Sequence, residues 1–383
     1  MKHGNGKNEI SASGNRVASI DALRGFDMFF IMGGAELIMS ICALWPNAIL
    51  ARVLTRQMIH VDWNGLRFYD YILPLFLFIA GLSFPYSLYR QRRKGADDRM
   101  ILLRILKRSV LLIFLGILYN GFLYGWTLHL QDFRFASVLA RLGISSGIAA
   151  LIYTKCNRRQ TLYISAAILI LYWIGIGILP RILGLGNPFS IDENLVARID
   201  RHLVPGRLFF KTYDPEGLVG AIPCVVTVLS GMLSSSYLAP PSPSDHVSYS
   251  RRLRNFLTAS VVLIISGVLW GIVFPINKAM WSSSFVCVTS GISMILFALF
   301  YDLIDIRGYK KAVFPFRVIG MNAITIYLAQ AILSPRWIIN GVFGRFLAQL
   351  PDVWSEIAVW SLYVVLCWMF LYLLYRKKIF LKV

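Results

Sequence analysis

Charge is scarce in this chain. Only 15% of its 383 residues are Asp, Glu, Lys or Arg, against roughly 25% in an ordinary soluble domain. Acids are the scarcer sign, 19 against 39 bases, which leaves a net charge of +20. So few charges cannot cover the surface of a soluble protein of this length, and that class is excluded. Cysteine is sparse as well. Cys42, Cys156, Cys224, Cys287 and Cys367 are scattered, mostly within apolar runs, with no CxxC pair. That spacing points to neither a disulfide framework nor a zinc site, and no metal is expected. Residues 1–18 lack the apolar core of a cleavable signal peptide, so the first span is expected to direct insertion.

What the chain does have is apolar length. It is 57% hydrophobic, with a mean hydropathy of +0.63. Its apolar residues gather in runs of about 18 or more, the length of a membrane-crossing helix. The fold class expected is an all-α polytopic membrane protein, a bundle of about ten transmembrane helices. The runs cover 19–44, 66–89, 101–125, 136–154, 161–180, 214–238, 255–275, 282–303, 314–334 and 354–375. They form a single membrane domain, 19–375, between a polar tail at 1–18 and a basic tail at 376–383.

The basic residues orient the bundle. With the N-terminus inside, 25 of the 39 Lys and Arg fall on the inner side and 13 on the outer. This asymmetry is the positive-inside pattern and predicts N-in, C-in topology. It accounts for the charge without a nucleic-acid partner. The outer loops are then 45–65, 126–135, 181–213 and 335–353.

One stretch carries unusual chemistry. Residues 57–84 read QMIHVDWNGLRFYDYILPLFLFIAGLSF. His60 sits at the outer lip of the second span with Asp62, Trp63 and Asn64, and Asp70 follows ten residues on. A carboxylate one helix turn below a histidine can orient an imidazole and raise its basicity. Two plainer readings stand beside this one: an Arg67–Asp70 ion pair at i,i+3, and a Trp63 that only marks the interface. The loop residues His129, His202 and His246 are read as surface histidines.

Ionisable groups inside spans are expensive and are functional candidates. Asp21, Arg24 and Asp27 lie three residues apart on the first span. They either form an internal ion cluster or line an inner cavity mouth, and with Arg104 they are the donor-side candidates. Glu36 lies deeper, with no partner within one turn. Asp214, Pro215 and Glu216 read either as a helix start or as part of a polar vestibule. Asn277, Lys278, Trp281 and Asn322 are further binding candidates. Asn120, Arg141 and Gln330 are also polar within or near spans.

These residues resemble a known family. His60-x-x-Trp63-Asn64-Gly65-Leu66-x-x-x-Asp70, followed by Pro74-x-Phe76-x-Phe78-Ile79-x-Gly81, is similar to the signature of the heparan-α-glucosaminide N-acetyltransferase family of transmembrane acyltransferases. So are Ser19-Ile20-Asp21-x-x-Arg24-Gly25, Tyr213-Asp214-Pro215-Glu216-Gly217, Pro275-x-Asn277-Lys278-x-x-Trp281 and Gly320-Met321-Asn322. The blocks keep the family's order over most of the chain, which looks like a short bacterial member. The resemblance implies transfer of an acetyl group from cytoplasmic acetyl-CoA to the amine of an amino sugar across the membrane. His60 is matched to the family's loop histidine, an acyl carrier or base, and Asp70 to its acid. Asp62, Trp63, Asn64, Asp214, Glu216, Asn277, Lys278, Trp281 and Asn322 are then expected to bind substrate. One departure is clear: an asparagine implicated in the animal enzyme has no counterpart in the first span, where Gly33 and Gly34 stand in that region.

The expected function is therefore an acetyl-CoA-dependent amino-sugar acetyltransferase of the bacterial inner membrane. Its partners are lipid, acetyl-CoA, a small amino sugar or glycan and, as one permitted assembly, a second copy of the chain. Two alternatives remain: an amino-sugar or anion transporter without chemistry, and an O-acetyltransferase acting on an envelope glycan.

Overall fold

The computed structural model describes residues 17–127, 129–237 and 249–381. Nearly all of the expected 1–18 tail and much of the Pro/Ser-rich linker before 255, with His246, lie outside the described residues. Fourteen helices are described. The first half contributes α1 (Ala18–Cys42), α2 (Ile49–Gln57), α3 (Phe68–Arg93), α4 (Asp98–Tyr124), α5 (Val138–Lys155) and α6 (Arg158–Ile182). A short α7 (Leu195–Leu203) precedes α8 (Ala221–Tyr237), α9 (Tyr249–Trp270) and α10 (Ser283–Ile306). The last are α11 (Phe314–Met321), α12 (Ala323–Leu333), α13 (Pro335–Leu347) and α14 (Asp352–Arg376).

The starts of several helices are written locally. Asp97, Ser137, Asn157, Asn194 and Ser282 each accept a backbone N–H from the first turn of the helix that follows, satisfying donors that have no partner inside the helix. In the lipid-facing turns the side chains are apolar and exposed. Tyr163 and Leu171 on α6 are 74% and 66% exposed, and Val262 and Leu269 on α9 are 59% and 60%. Such faces belong against hydrocarbon.

Close packing holds the centre together. α3 lies against α8, α1 against α11, α4 against α5 and α9 against α10. In the α3–α8 pair, a Cβ on Gly81 would meet the Val228 carbonyl, and one on Gly231 would meet that of Phe78. Small residues at such crossings let two backbones approach, which is how helices associate where lipid removes the hydrophobic drive.

Among the described residues, seven helices are long and apolar enough to cross a membrane. The count is eight if α11 and α12, bent by 72° at their break, make one span. The protein is thus all-α and polytopic, but ten spans are not all seen. The expected third span, α4, carries Arg99, Arg104, Lys107 and Arg108 in its first half. The expected sixth starts at Ala221, not Asp214, and α8 is only 17 residues long. The reason is local: Asp214 does not cap a helix. Its carboxylate accepts the N–H groups of Phe209 and Glu216 and the guanidinium of Arg134, so 214–220 is held as a turn.

The loops at 58–67, 125–137, 183–220 and 271–282 gather at one end of the bundle. They are tied by Trp63 Nε1 to the Phe189 carbonyl (2.8 Å), Gly65 N to the Ile276 carbonyl (2.7 Å) and Arg134 to Asp214.

Candidate active site

His60 lies on the loop between α2 and α3, and Asp70 is in the first turn of α3. Their side chains meet: His60 Nδ1 is 2.8 Å from Asp70 Oδ1. The helix start explains why the carboxylate is there. Asp70 Oδ2 accepts the N–H of Arg67, the residue before the helix, at 3.2 Å and that of Val61 at 3.1 Å. Half a capping box and a loop anchor thus fix one oxygen, leaving the other for the imidazole. Gln57 secures the same corner, its Oε1 accepting the Phe68 N–H at 2.8 Å. The alternative ion pair does not form: the Arg67 guanidinium donates instead to the His60 carbonyl at 2.6 Å. Asp70 is sealed, with its side chain 1% exposed, while that of His60 is 52% exposed. With Nδ1–H donated to Asp70, Nε2 is the acceptor of the neutral ring, on a side chain that is half exposed.

Lys278 completes the group. Its Nζ lies 3.1 Å from His60 Nδ1, 3.4 Å from Nε2 and 3.6 Å from Asp70 Oδ1. Burial pushes this amine below the usual lysine range, with Asp70 and Glu216 opposing the shift. The loop that carries Lys278 is pinned by its neighbour. Asn277 is buried, and its Nδ2 donates to the Trp63 carbonyl (3.1 Å) and to Asn64 Oδ1 (3.0 Å), while its Oδ1 accepts the Met280 N–H (2.8 Å). Trp63 stacks edge-on against Tyr213 at 5.2 Å, and Asp62 is exposed on the same loop.

Asp214 and Glu216 belong to a cluster that the sequence did not single out, because its centre is Arg134. Arg134 Nη2 lies 2.7 Å from Asp214 Oδ1 and 2.5 Å from Glu216 Oε2, and its Nε is 3.0 Å from Asp214 Oδ2. Burial works against the cation, yet the two carboxylates hold it charged above the usual arginine range. The available signal was weak: one arginine in the 126–135 loop facing two acids 80 residues away. Replacing Arg134 with Met strands the buried carboxylate of Asp214 and the half-buried one of Glu216. This is expected to cost about 3–5 kcal/mol, read as a lowered melting temperature of the purified protein in detergent.

Three expected site residues sit elsewhere. Trp281 is fully buried, with its indole N–H turned to Thr227 Oγ1 at 3.4 Å. Its loop folds back so that the ring plugs the bundle rather than lining a vestibule. Asn322 is at the opposite end, because it lies only eight residues beyond the start of α11. Its side chain donates to the Ile379 carbonyl at 3.0 Å and accepts the Leu381 N–H at 3.2 Å. Asp27 is fully buried on α1, and neither carboxylate oxygen has a hydrogen-bond partner.

Asn322 instead lines a cavity of about 540 Å³, together with Asp21, Arg24, Arg90, Arg104 and Arg108. Arg24 reaches Ser83 Oγ (2.7 Å) and Asp21 (3.7 Å), and Arg104 reaches Gln91 Oε1 (2.9 Å). On α3 the lining runs from Phe76 to Gln91. With a rise of about 1.5 Å per residue, its near end lies roughly 9 Å along the helix from Asp70. Among the described residues no group of three or more His, Cys, Asp or Glu could hold a metal ion.

Comparison with known proteins agrees with the motifs. A family model described as a domain of unknown function, DUF5009, matches residues 16–187. The heparan-alpha-glucosaminide N-acetyltransferase of Homo sapiens is 25% identical over 381 residues, covering 85% of this chain and 55% of the human protein. That of Mus musculus is 26% identical over 383 residues, covering 85% of this chain and 56% of the mouse protein. The chain thus spans about half the length of the curated relatives it matches. The resemblance read in its motifs is borne out: this multi-pass chain is similar, over most of its length, to the heparan-alpha-glucosaminide N-acetyltransferases.

Proposed function

We propose that this protein is a transmembrane acyltransferase that moves an acetyl group from acetyl-CoA to the amine of a glucosamine-type sugar. The observation that carries the reading is the His60 Nδ1–Asp70 contact of 2.8 Å, which leaves Nε2 as the base of a half-exposed side chain.

The reaction is written as direct transfer. The acceptor nitrogen attacks the thioester carbonyl, the C–N bond forms and the C–S bond breaks. The amine proton goes to His60 Nε2, which then gives it to the leaving sulfur, so that CoA departs as its thiol and the imidazole returns to its neutral form. Asp70 holds the Nδ1–H and stabilises the imidazolium. Lys278 balances the buried carboxylate between turnovers. Asp62 and Asn64, exposed on the same loop, would meet sugar hydroxyls, buried Asn277 holds that loop in place, and Asp214 and Glu216, bound to Arg134, shape the wall beside them.

The donor enters from the opposite end. Arg24, Arg90, Arg104 and Arg108 around the cavity suit the 3′-phosphate and pyrophosphate of CoA. The uncharged pantetheine arm then runs along α3 toward His60. On the charge asymmetry the cavity opens to the cytoplasm and His60 faces the far side of a bacterial inner membrane. The test is purified protein with acetyl-CoA and a panel of amino sugars, read by product mass. An increase of one acetyl group on a glucosamine-type acceptor is expected, and acetylation only of hydroxyls would contradict the amine assignment.

A further inference from the structure

Arg141 is a buried cation to which the reaction above gives no task. It lies on α5, 2% exposed. Its Nη2 donates to the Gly217 carbonyl at 2.8 Å, but Nε and Nη1 have no hydrogen-bond partner and are sealed from solvent. Its guanidinium carbon stands 5.2 Å from the Trp281 ring centre. An Arg inside a membrane bundle is expensive, and leaving N–H groups on it unmet adds to the cost. A side chain kept in that state calls for a physical reason, and a ligand that supplies the missing acceptors is one.

Its position names the ligand. Leu142 and Ser146, beside and just inward of it on α5, line the arginine-rich cavity. Outward of it, Trp281 is three residues from Lys278, which touches His60. The guanidinium therefore stands where the cavity ends and the His60 site begins. The backbone is shaped around it, since a Cβ on Gly220 would press against Nη2. Arg24, Arg90, Arg104 and Arg108 line the cavity and suit the phosphates of the donor, which leaves its neutral arm for Arg141. A neutral, extended arm with carbonyl oxygens fits.

The geometry points to Arg141 as the residue that binds an amide carbonyl of the acyl-thioester arm, holding the arm extended so that the thioester reaches His60. This deepens the acyltransferase reading and rests on it. A lysine keeps the charge but not the fork of donors.

The test pairs the side chain with the group it binds. The full-length protein in detergent is assayed for transfer to glucosamine from two donors: acetyl-CoA, whose arm carries amides, and S-butyl thioacetate, which has none. Wild type, Arg141→Met and Arg141→Lys are compared. Arg141→Met is expected to lower kcat/KM with acetyl-CoA by about 10- to 100-fold, the ratio for a hydrogen bond to a charged group. Arg141→Lys recovers part of that loss. With S-butyl thioacetate the variants stay within about twofold of wild type, as independent changes do. Equal losses with both donors mean that Arg141 only supports the fold, and overturn the inference. Unchanged use of acetyl-CoA by Arg141→Met also overturns it. A wild-type protein that acetylates no amine from either donor contradicts the acyltransferase reading itself.

Discussion

His60→Ala lowers acetyl transfer by about 10³-fold, the middle of the range for a general base. The side chain is half exposed and touches the rest of the site through Asp70, Lys278 and the Tyr69 ring, whose centre is 4.8 Å away. The protein should therefore stay folded, with a stability change within about 1 kcal/mol. Without the imidazole, Lys278 can still pair with Asp70, from which it is 3.6 Å away, so no buried charge is stranded. The check is initial rate at saturating acetyl-CoA and acceptor, beside a thermal melt of the same sample. Retention of more than about a tenth of the wild-type rate in a folded protein would remove His60 from the chemistry.

Asp70→Asn is the second large effect, and it acts through a proton. Two backbone N–H groups, from Val61 and Arg67, point at Asp70 Oδ2. In the asparagine they retain the amide oxygen, because an NH₂ group there would face two donors. The NH₂ must then face His60 Nδ1, which becomes the acceptor. The ring proton moves to Nε2, and that nitrogen can no longer take a proton from an amine. Loss of about 10²–10⁴-fold in kcat is expected, with little change in the melting temperature and in KM for acetyl-CoA. The helix start at Phe68 survives, since the oxygen that caps it is kept. The split between kcat and stability separates this account from a merely structural role for Asp70, in which both would fall together.

Much of this corner was legible in the sequence, for physical reasons. The His60–Asp70 spacing is local: an acid in the first turn of a helix sits naturally beneath the loop that leads into it. Apolar length likewise gave an all-α membrane protein. What the sequence did not carry was longer in range. Arg134 finds Asp214 and Glu216 across 80 and 82 residues, and no local pattern marks that meeting. The pairing also moves the start of α8 to Ala221, since Asp214 spends its oxygens on Arg134 and on loop N–H groups instead of on a helix. Asn322 was grouped with the acceptor site by motif order, yet its depth along its span puts it beside the tail at 379–381, at the other end of the bundle. Trp281 was misplaced by the same habit of reading a motif as one surface: Lys278 turns toward His60 while Trp281, three residues on, turns inward over Arg141.

The central claim is that a group entering at the arginine-lined cavity leaves at His60 as an amide on the other side. It is tested most directly in sealed proteoliposomes, with acetyl-CoA confined to the side of the cavity and glucosamine to the side of His60. Mass spectrometry of the glucosamine compartment is the measurement. The account predicts N-acetylglucosamine there, formed only by protein with an intact His60, while acetyl-CoA itself stays on its own side. Glucosamine appearing unmodified in the acetyl-CoA compartment, with no acetylated product on either side, would show a transporter and contradict the account.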